Sequence, residues 1–240
     1  MINKMIEYTK LNPTMTSKQV KIEVDLAALR GYRSIVLTYQ NIGLARSYIR
    51  QKGYDLKVVV VLGFPSDNYN FGMLKTFKND YDEVDMVLPI QDYYFSYPPY
   101  LDKIEATIKY VKKEMESDVL AMNGKPFVKG FKLILETAYM RAKDMQVKEL
   151  CELAKKCEVN VIKTNTGLIQ RKGFEDLLED VNTIKKYWQG DIKASGGIKK
   201  LEDAEILIKA GATLIGTSSD LCAPIPEVVV PTAISAEEKK

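Results

Sequence analysis

Two lysines stand where short apolar runs break into turn residues. In VNVIKTNTG, Val159 to Gly167, Lys163 is followed by threonine, asparagine and glycine; in DIKASGGI, Asp191 to Ile198, Lys193 leads into a glycine pair. Apolar runs bounded in this way read as buried strands. A side chain at the carboxyl end of such a strand is held rigidly while still reaching solvent, a suitable place for a working amine. If desolvation or a second cation keeps that amine neutral, it can attack a carbonyl carbon and form a Schiff base.

The chain has no histidine. That removes Ser-His-Asp and Cys-His nucleophile systems and the histidine-bearing zinc sites. What remains is carboxylate, lysine, tyrosine, serine or threonine chemistry.

Side chains alternate along a strand, so apolar neighbours indicate which face a charged residue shares. In VNVIKT, Val159, Val161 and Lys163 share one face and Ile162 takes the other. The same test pairs Asp85 with Val87 in EVDMVLP, Lys132 with Ile134 and Glu136 in FKLILE, and Glu7 with Thr9 in IEYTK; in DIKAS it separates Lys193 from Ile192. Six charged side chains are therefore expected in one cavity: Glu7, Asp85, Lys132, Glu136, Lys163 and Lys193. Each alone is weak, since a lysine at a strand end is commonly a solvated rim residue and a buried acid is commonly a structural partner for a base. Their convergence carries the argument. Lys163 and Lys193 on neighbouring strands cannot both stay comfortably protonated, and Asp85 can pass protons between amine and substrate. The pattern is that of a metal-free lysine aldolase, with no cofactor expected.

The elements that must position these residues alternate through the chain. Eight apolar runs, Met5 to Thr9, Arg33 to Thr38, Lys57 to Leu62, Glu83 to Leu88, Gly130 to Glu136, Val159 to Thr164, Asp191 to Ser195 and Thr213 to Thr217, are separated by amphipathic stretches. The first helix has Thr16 as N-cap with Gln19 at the capping-box spacing, then Val20, Val24 and Ala27, and stops at Gly31. A second runs from about Asn41 to Gly53. Further stripes are Leu101, Ile104, Ile108, Val111, Met115; Leu150, Leu153, Ala154, Cys157; Phe174, Leu177, Leu178, Val181, Ile184; and Ala204 to Ile208, ending at Gly211. Eight strands alternating with helices over this length predict an α/β fold, a (β/α)₈ TIM barrel forming one domain over residues 1–222. An open doubly wound sheet is the alternative, weakened by the lack of an early GxGxxG turn.

Glycine and serine close the last two strands in SGGI, Ser195 to Ile198, and GTSS, Gly216 to Ser219. Loops there can present backbone N–H groups and hydroxyls to a phosphate. The aromatic stretch Gln91 to Tyr100 reads as a loop that contacts substrate, packs on its own rings or meets a second subunit. Asp118 to Lys129 reads as an insertion on the face away from the chemistry. Pro224, Pro226 and Pro231 oppose a closing helix, so residues 223–240 are expected to form a partly disordered tail.

Composition narrows the setting. A formal charge of +3, from Lys+Arg 35 against Asp+Glu 32, argues against nucleic acid and acidic membrane partners. The N-terminus lacks the apolar core of a signal peptide, and no stretch approaches the length of a membrane span. Three cysteines, Cys151, Cys157 and Cys222, suit a reducing compartment as small buried hydrophobes, and a cytoplasmic protein is expected. The oligomeric state stays open, a homodimer included.

From IEYTKLNPT through LGFP, EVDMVLP, FKLILET, IKTNTG and KASGGI to AGATLIGTSS, the chain resembles the deoxyribose-phosphate aldolase family. The resemblance implies a class I aldolase on a (β/α)₈ barrel that reversibly cleaves 2-deoxy-D-ribose 5-phosphate to acetaldehyde and D-glyceraldehyde 3-phosphate. It makes Lys163 the Schiff-base lysine, Lys193 the lysine that perturbs it and Asp85 the proton-relay acid. Glu7, Thr9, Lys132, Glu136 and Thr166 are expected to contact the sugar, and Gly167, Gly196, Gly197, Ser218 and Ser219 the phosphate. The chain departs from the family pattern with Glu7 for aspartate, Tyr8 for a frequent histidine, Asn165 for serine, Leu168 for a phosphate-binding lysine of some members, and Lys240 where some end in tyrosine. A phosphosugar-binding barrel with little turnover and another lysine aldolase of the same fold are the competing readings.

Overall fold

A computed structural model describes residues 2–65, 69–88, 100–115, 129–140, 143–169 and 173–222. Eight parallel strands close into a barrel in sequence order. They are β1 Ile6–Lys10, β2 Ser34–Leu37, β3 Lys57–Leu62, β4 Glu83–Val87, β5 Gly130–Ile134, β6 Val161–Lys163, β7 Asp191–Ser195 and β8 Leu214–Thr217. Runs such as KVVVVL of β3 suit a strand buried on both faces, where branched side chains pack against helices outside and neighbours inside. The expected barrel is thus observed, with β1 shifted by one residue, β3 and β7 as expected and the other strands shorter by one or two residues at one or both ends. Two trims matter: β6 begins at Val161, not Val159, and β5 ends at Ile134, two residues before Glu136.

Seven helices are present among the described residues: α1 Ser17–Leu29, α2 Tyr39–Lys52, α3 Gly72–Thr76, α4 Tyr100–Glu114, α5 Lys143–Lys156, α6 Phe174–Tyr187 and α7 Leu201–Ala210. The one-turn α3 has no apolar stripe long enough to announce it. The α1 capping box forms as its spacing predicts: the Gln19 N–H donates to Thr16 Oγ1 at 3.3 Å and the Thr16 N–H donates to Gln19 Oε1 at 2.8 Å. Val20, Val24 and Ala27 are buried. Gly53 closes α2 in the left-handed region at φ 67°, a conformation glycine adopts without steric cost. Among the described residues no helix is long and apolar enough to cross a membrane. The aromatic loop apart from Tyr100, the insertion apart from Lys129, and the tail 223–240 lie outside the described residues.

The main core lies between the outer faces of the strands and the helices. A second, smaller core fills part of the barrel interior with Val36, Val59, Val61, Val87 and Ile134. A cluster of charged side chains occupies another part of the interior, and there the lysines meet.

Candidate active site

Strand register sets the site. Lys163 and Lys193 are Cα partners across β6 and β7, and Asp85 and Lys132 are partners across β4 and β5. All four point inward and are almost wholly buried, as is Glu7 of β1. Asp85 is their hub. Its Oδ2 accepts from Lys163 Nζ at 3.0 Å and from Lys193 Nζ at 2.7 Å, and its Oδ1 accepts from Lys132 Nζ at 2.9 Å. Lys193 also donates to Glu7, and Lys132 lies 3.4 Å from the same Glu7 carboxylate.

Two further residues complete the cluster, and the reading of the sequence passed over both. Glu83 begins β4 with the same parity as Asp85 and lies 2.7 Å from Lys132 Nζ. Arg33, one residue before β2, donates to Glu83 Oε2 at 2.9 Å and to Glu7. The parity that selected Asp85 also selects Glu83, but a charged first residue reads as a solvated strand end. Three carboxylates, Glu7, Glu83 and Asp85, therefore face Arg33, Lys132, Lys163 and Lys193, and the half-exposed Lys57 also donates to Glu83 at 3.0 Å.

Lys163 is the lysine drawn toward neutrality. Burial, first, and then the positive charge of Lys193 pull its pKa down to about 8, against the restoring pull of Asp85. Mutual repulsion of the lysines is thus the second cause, not the first, and the Asp85 carboxylate is hydrogen-bonded to both amines. Burial works against the charge on Asp85, Glu7 and Glu83 too. Lys132 is the largest opposing influence on each, with Lys193 and Lys163 adding to it at Asp85, and all three carboxyls stay below their usual range. Lys132 moves upward, because Asp85, Glu7 and Glu83 outweigh its burial.

Above the cluster lies a cavity of about 570 Å³, lined in part by Lys163, Thr9, Thr166, Gly167, Ser195 and Ser218. It opens at the carboxyl ends of the strands, the end at which barrels of this kind carry chemistry. Gly196 and Gly197 also border it, and with Gly167 they have φ of 109°, 80° and 89°. Left-handed glycines turn successive backbone N–H groups toward one side, so this wall can receive an anion. Lys199 borders the same wall and supplies a cation that the sequence reading did not single out.

Several expected contacts sit elsewhere. Glu7 and Lys132 are not on the cavity wall; they form the floor beneath it, engaged by neighbouring charges. Glu136 lies past the end of β5 in a left-handed conformation, φ 53°, so strand alternation does not direct it. Its carboxylate accepts the Thr166 N–H at 3.1 Å and thereby holds the loop after β6. Ser219 does not line the cavity; its N–H donates to Thr217 Oγ1 at 3.0 Å. Asn165 is buried, accepting the Ala138 N–H at 3.1 Å and receiving Ser195 Oγ on its backbone carbonyl. Tyr8 points outward and donates to Glu23 at 2.8 Å. Among the described residues no three His, Cys, Asp or Glu side chains gather as a metal site.

Gly216 of β8 has no spare room. A Cβ there would stand 2.8 Å from Lys193 Cε and 2.8 Å from Ser195 Cβ. Gly216→Ala is expected to cost about 1–3 kcal/mol of stability through overpacking. It should also displace Lys193, so thermal denaturation and the pH dependence of amine reactivity should both change.

No protein-family model matches the chain. Proteins named deoxyribose-phosphate aldolase from Acholeplasma laidlawii and Clostridioides difficile are 32% and 33% identical to it, each over 226 residues. These alignments cover 91% of this chain and 92% and 93% of theirs. Among solved structures, an aldolase designated QR15 is similar with a TM-score of 0.73 at 26% identity, over 90% of this chain and 91% of that one. A tetrameric deoxyribose phosphate aldolase from Aeropyrum pernix, 24% identical with a TM-score of 0.70, shares the fold over 90% of this chain and 86% of its own. A buried lysine cluster on an eight-stranded barrel, together with identity above 30% along nearly the whole length of named relatives, places this chain in the deoxyribose-phosphate aldolase family.

Proposed function

We propose that the chain cleaves 2-deoxy-D-ribose 5-phosphate reversibly to acetaldehyde and D-glyceraldehyde 3-phosphate through a Schiff base on Lys163. The observation that carries this reading is the position of the Lys163 amine, on the cavity wall, brought near neutrality, and sharing one Asp85 oxygen with Lys193. Neutral Lys163 attacks the sugar aldehyde carbon to give a carbinolamine. Loss of water, with protons moved along the Lys193–Asp85 hydrogen bond, leaves the iminium ion. The iminium accepts the electron pair of the breaking C–C bond as the adjoining hydroxyl loses its proton, and glyceraldehyde 3-phosphate departs. The enamine left on Lys163 takes a proton on carbon, and water then releases acetaldehyde and the free amine. The glycine-rich wall with Ser218 and Lys199 is suited to the 5-phosphate.

A retro-aldol assay coupled to reduction of the released aldehydes tests the reaction. Turnover is expected on 2-deoxyribose 5-phosphate and not on ribose 5-phosphate; turnover on neither would reject the assignment. The amine makes its own prediction. Borohydride trapping of acetaldehyde on Lys163 should rise about tenfold per pH unit at low pH and level off above about 8, where the amine is mostly neutral. A rate still climbing past pH 10 would mean an ordinary lysine.

A further inference from the structure

The loop after β8 carries Ser218 to the cavity, and no helix follows it among the described residues. Its placement rests on two sets of contacts. The first is local: Thr217 Oγ1 donates to Ile198 O at 2.8 Å and accepts the Ser219 N–H, tying the loop to the glycine loop after β7. The second reaches across the closure of the barrel. Arg30, the C-cap of α1, places Nε 2.9 Å from Asp220 Oδ2, and Nη2 donates to the same oxygen. The Tyr32 hydroxyl donates to Asp220 Oδ1 and accepts the Leu221 N–H at 3.2 Å. The Cys222 N–H returns to Asp220 Oδ1 at 3.3 Å.

This cluster takes no part in the chemistry described above, yet it is costly to build. Tyr32 is fully buried and Leu221 nearly so. The Tyr32 ring lies 5.7 Å from that of Tyr8, whose Cα is the register partner of Thr217. A buried phenol and a guanidinium thus converge on a carboxylate two residues beyond Ser218. Charge-assisted bonds of this kind are stronger and more directional than neutral ones.

We propose that Asp220, gripped by Arg30 and Tyr32, is a positioning residue for the anion-binding wall. It fixes where Ser218 stands over the cavity, and so sets the preference for a phosphorylated over an unphosphorylated sugar without touching either. The proposal rests on the reading of that wall as a phosphate site. It separates affinity for the phosphate end from the reactivity of Lys163, which belongs to the cluster in the barrel floor.

Tyr32→Phe and Asp220→Asn test it, the first keeping the ring that fills the core and the second keeping the shape of the carboxylate. Steady-state kinetics with 2-deoxyribose 5-phosphate and with unphosphorylated 2-deoxyribose, and inhibition by inorganic phosphate, are the readouts. Both variants are expected to raise KM for the phosphorylated sugar and the inhibition constant of phosphate about tenfold, the scale of one lost charge-assisted bond. They should leave kcat, and kcat/KM for the unphosphorylated sugar, within about twofold of wild type. Arg30→Lys, which keeps the charge, should fall between wild type and Asp220→Asn. Equal losses on both sugars, or no change on either, would overturn the proposal. A wild-type protein that treats the two sugars alike and ignores phosphate would refute the phosphate site itself, before any variant is compared.

Discussion

The Lys163→Met protein is expected to form no borohydride-stable adduct with acetaldehyde and to cleave 2-deoxyribose 5-phosphate at least about a thousandfold more slowly, a loss of roughly 4 kcal/mol of transition-state stabilisation. Methionine keeps the unbranched length of the side chain and supplies no amine. Folding should survive, because Asp85 retains Lys132 at 2.9 Å and Lys193 at 2.7 Å. The melting temperature at neutral pH should hold or rise. A lysine whose folded pKa lies near 8 is charged against its surroundings below that pH, and this penalty disappears with the amine. Mass spectrometry of the trapped protein with a thermal melt checks both halves. An adduct of wild-type yield on another lysine would transfer the nucleophile elsewhere.

That these charged side chains could be placed inside the barrel without a structure follows from strand alternation. A period of two along five strands selects Glu7, Asp85, Lys132, Lys163 and Lys193, and each of these is buried inside the barrel. The rule fails where the chain leaves the sheet. Glu136 has the right parity, but β5 has ended and the left-handed turn at this non-glycine residue sends its carboxylate to Thr166. Arg33 fails in the opposite sense: alternation along the expected run groups it with Ile35 and Leu37, which face the helices, but it precedes β2 and its long side chain reaches Glu7 and Glu83. The glycines bordering the cavity were legible as turn residues because positive φ is their common use, and Gly167, Gly196 and Gly197 all adopt it. Ser218 and Ser219 could not be told apart, since their types are identical and only the turn after β8 decides which faces the cavity. The Arg30–Asp220 contact, spanning 190 positions, depends on β1 meeting β8. No local pattern announces the closure of a barrel.

The Asp85→Asn protein should separate amine reactivity from turnover. The side chain keeps its shape but leaves Glu7 and Glu83 alone to face Arg33, Lys132, Lys163 and Lys193. Removing one partner from a buried charge group costs about 3–5 kcal/mol. Asp85 is held as a carboxylate because Lys132, Lys193 and Lys163 outweigh its burial, so its pKa lies well below the ordinary 3.8. Its stabilisation is therefore fully present above pH 3.8 and is lost only as the pH falls through the lower folded value. The melting difference between wild type and variant should be full at neutral pH and shrink in acid. At the same time Lys163 loses the carboxylate that favours its charge, so the half-point of acetaldehyde trapping should move below about 8. Turnover should nevertheless fall by about a hundredfold or more, the usual scale for a lost proton-transfer group. Faster trapping at low pH with slow turnover would place Asp85 in the proton path between Lys193 and the substrate. A variant with an unmoved trapping half-point and near wild-type turnover would reduce Asp85 to a structural counter-ion and move the proton path to another group.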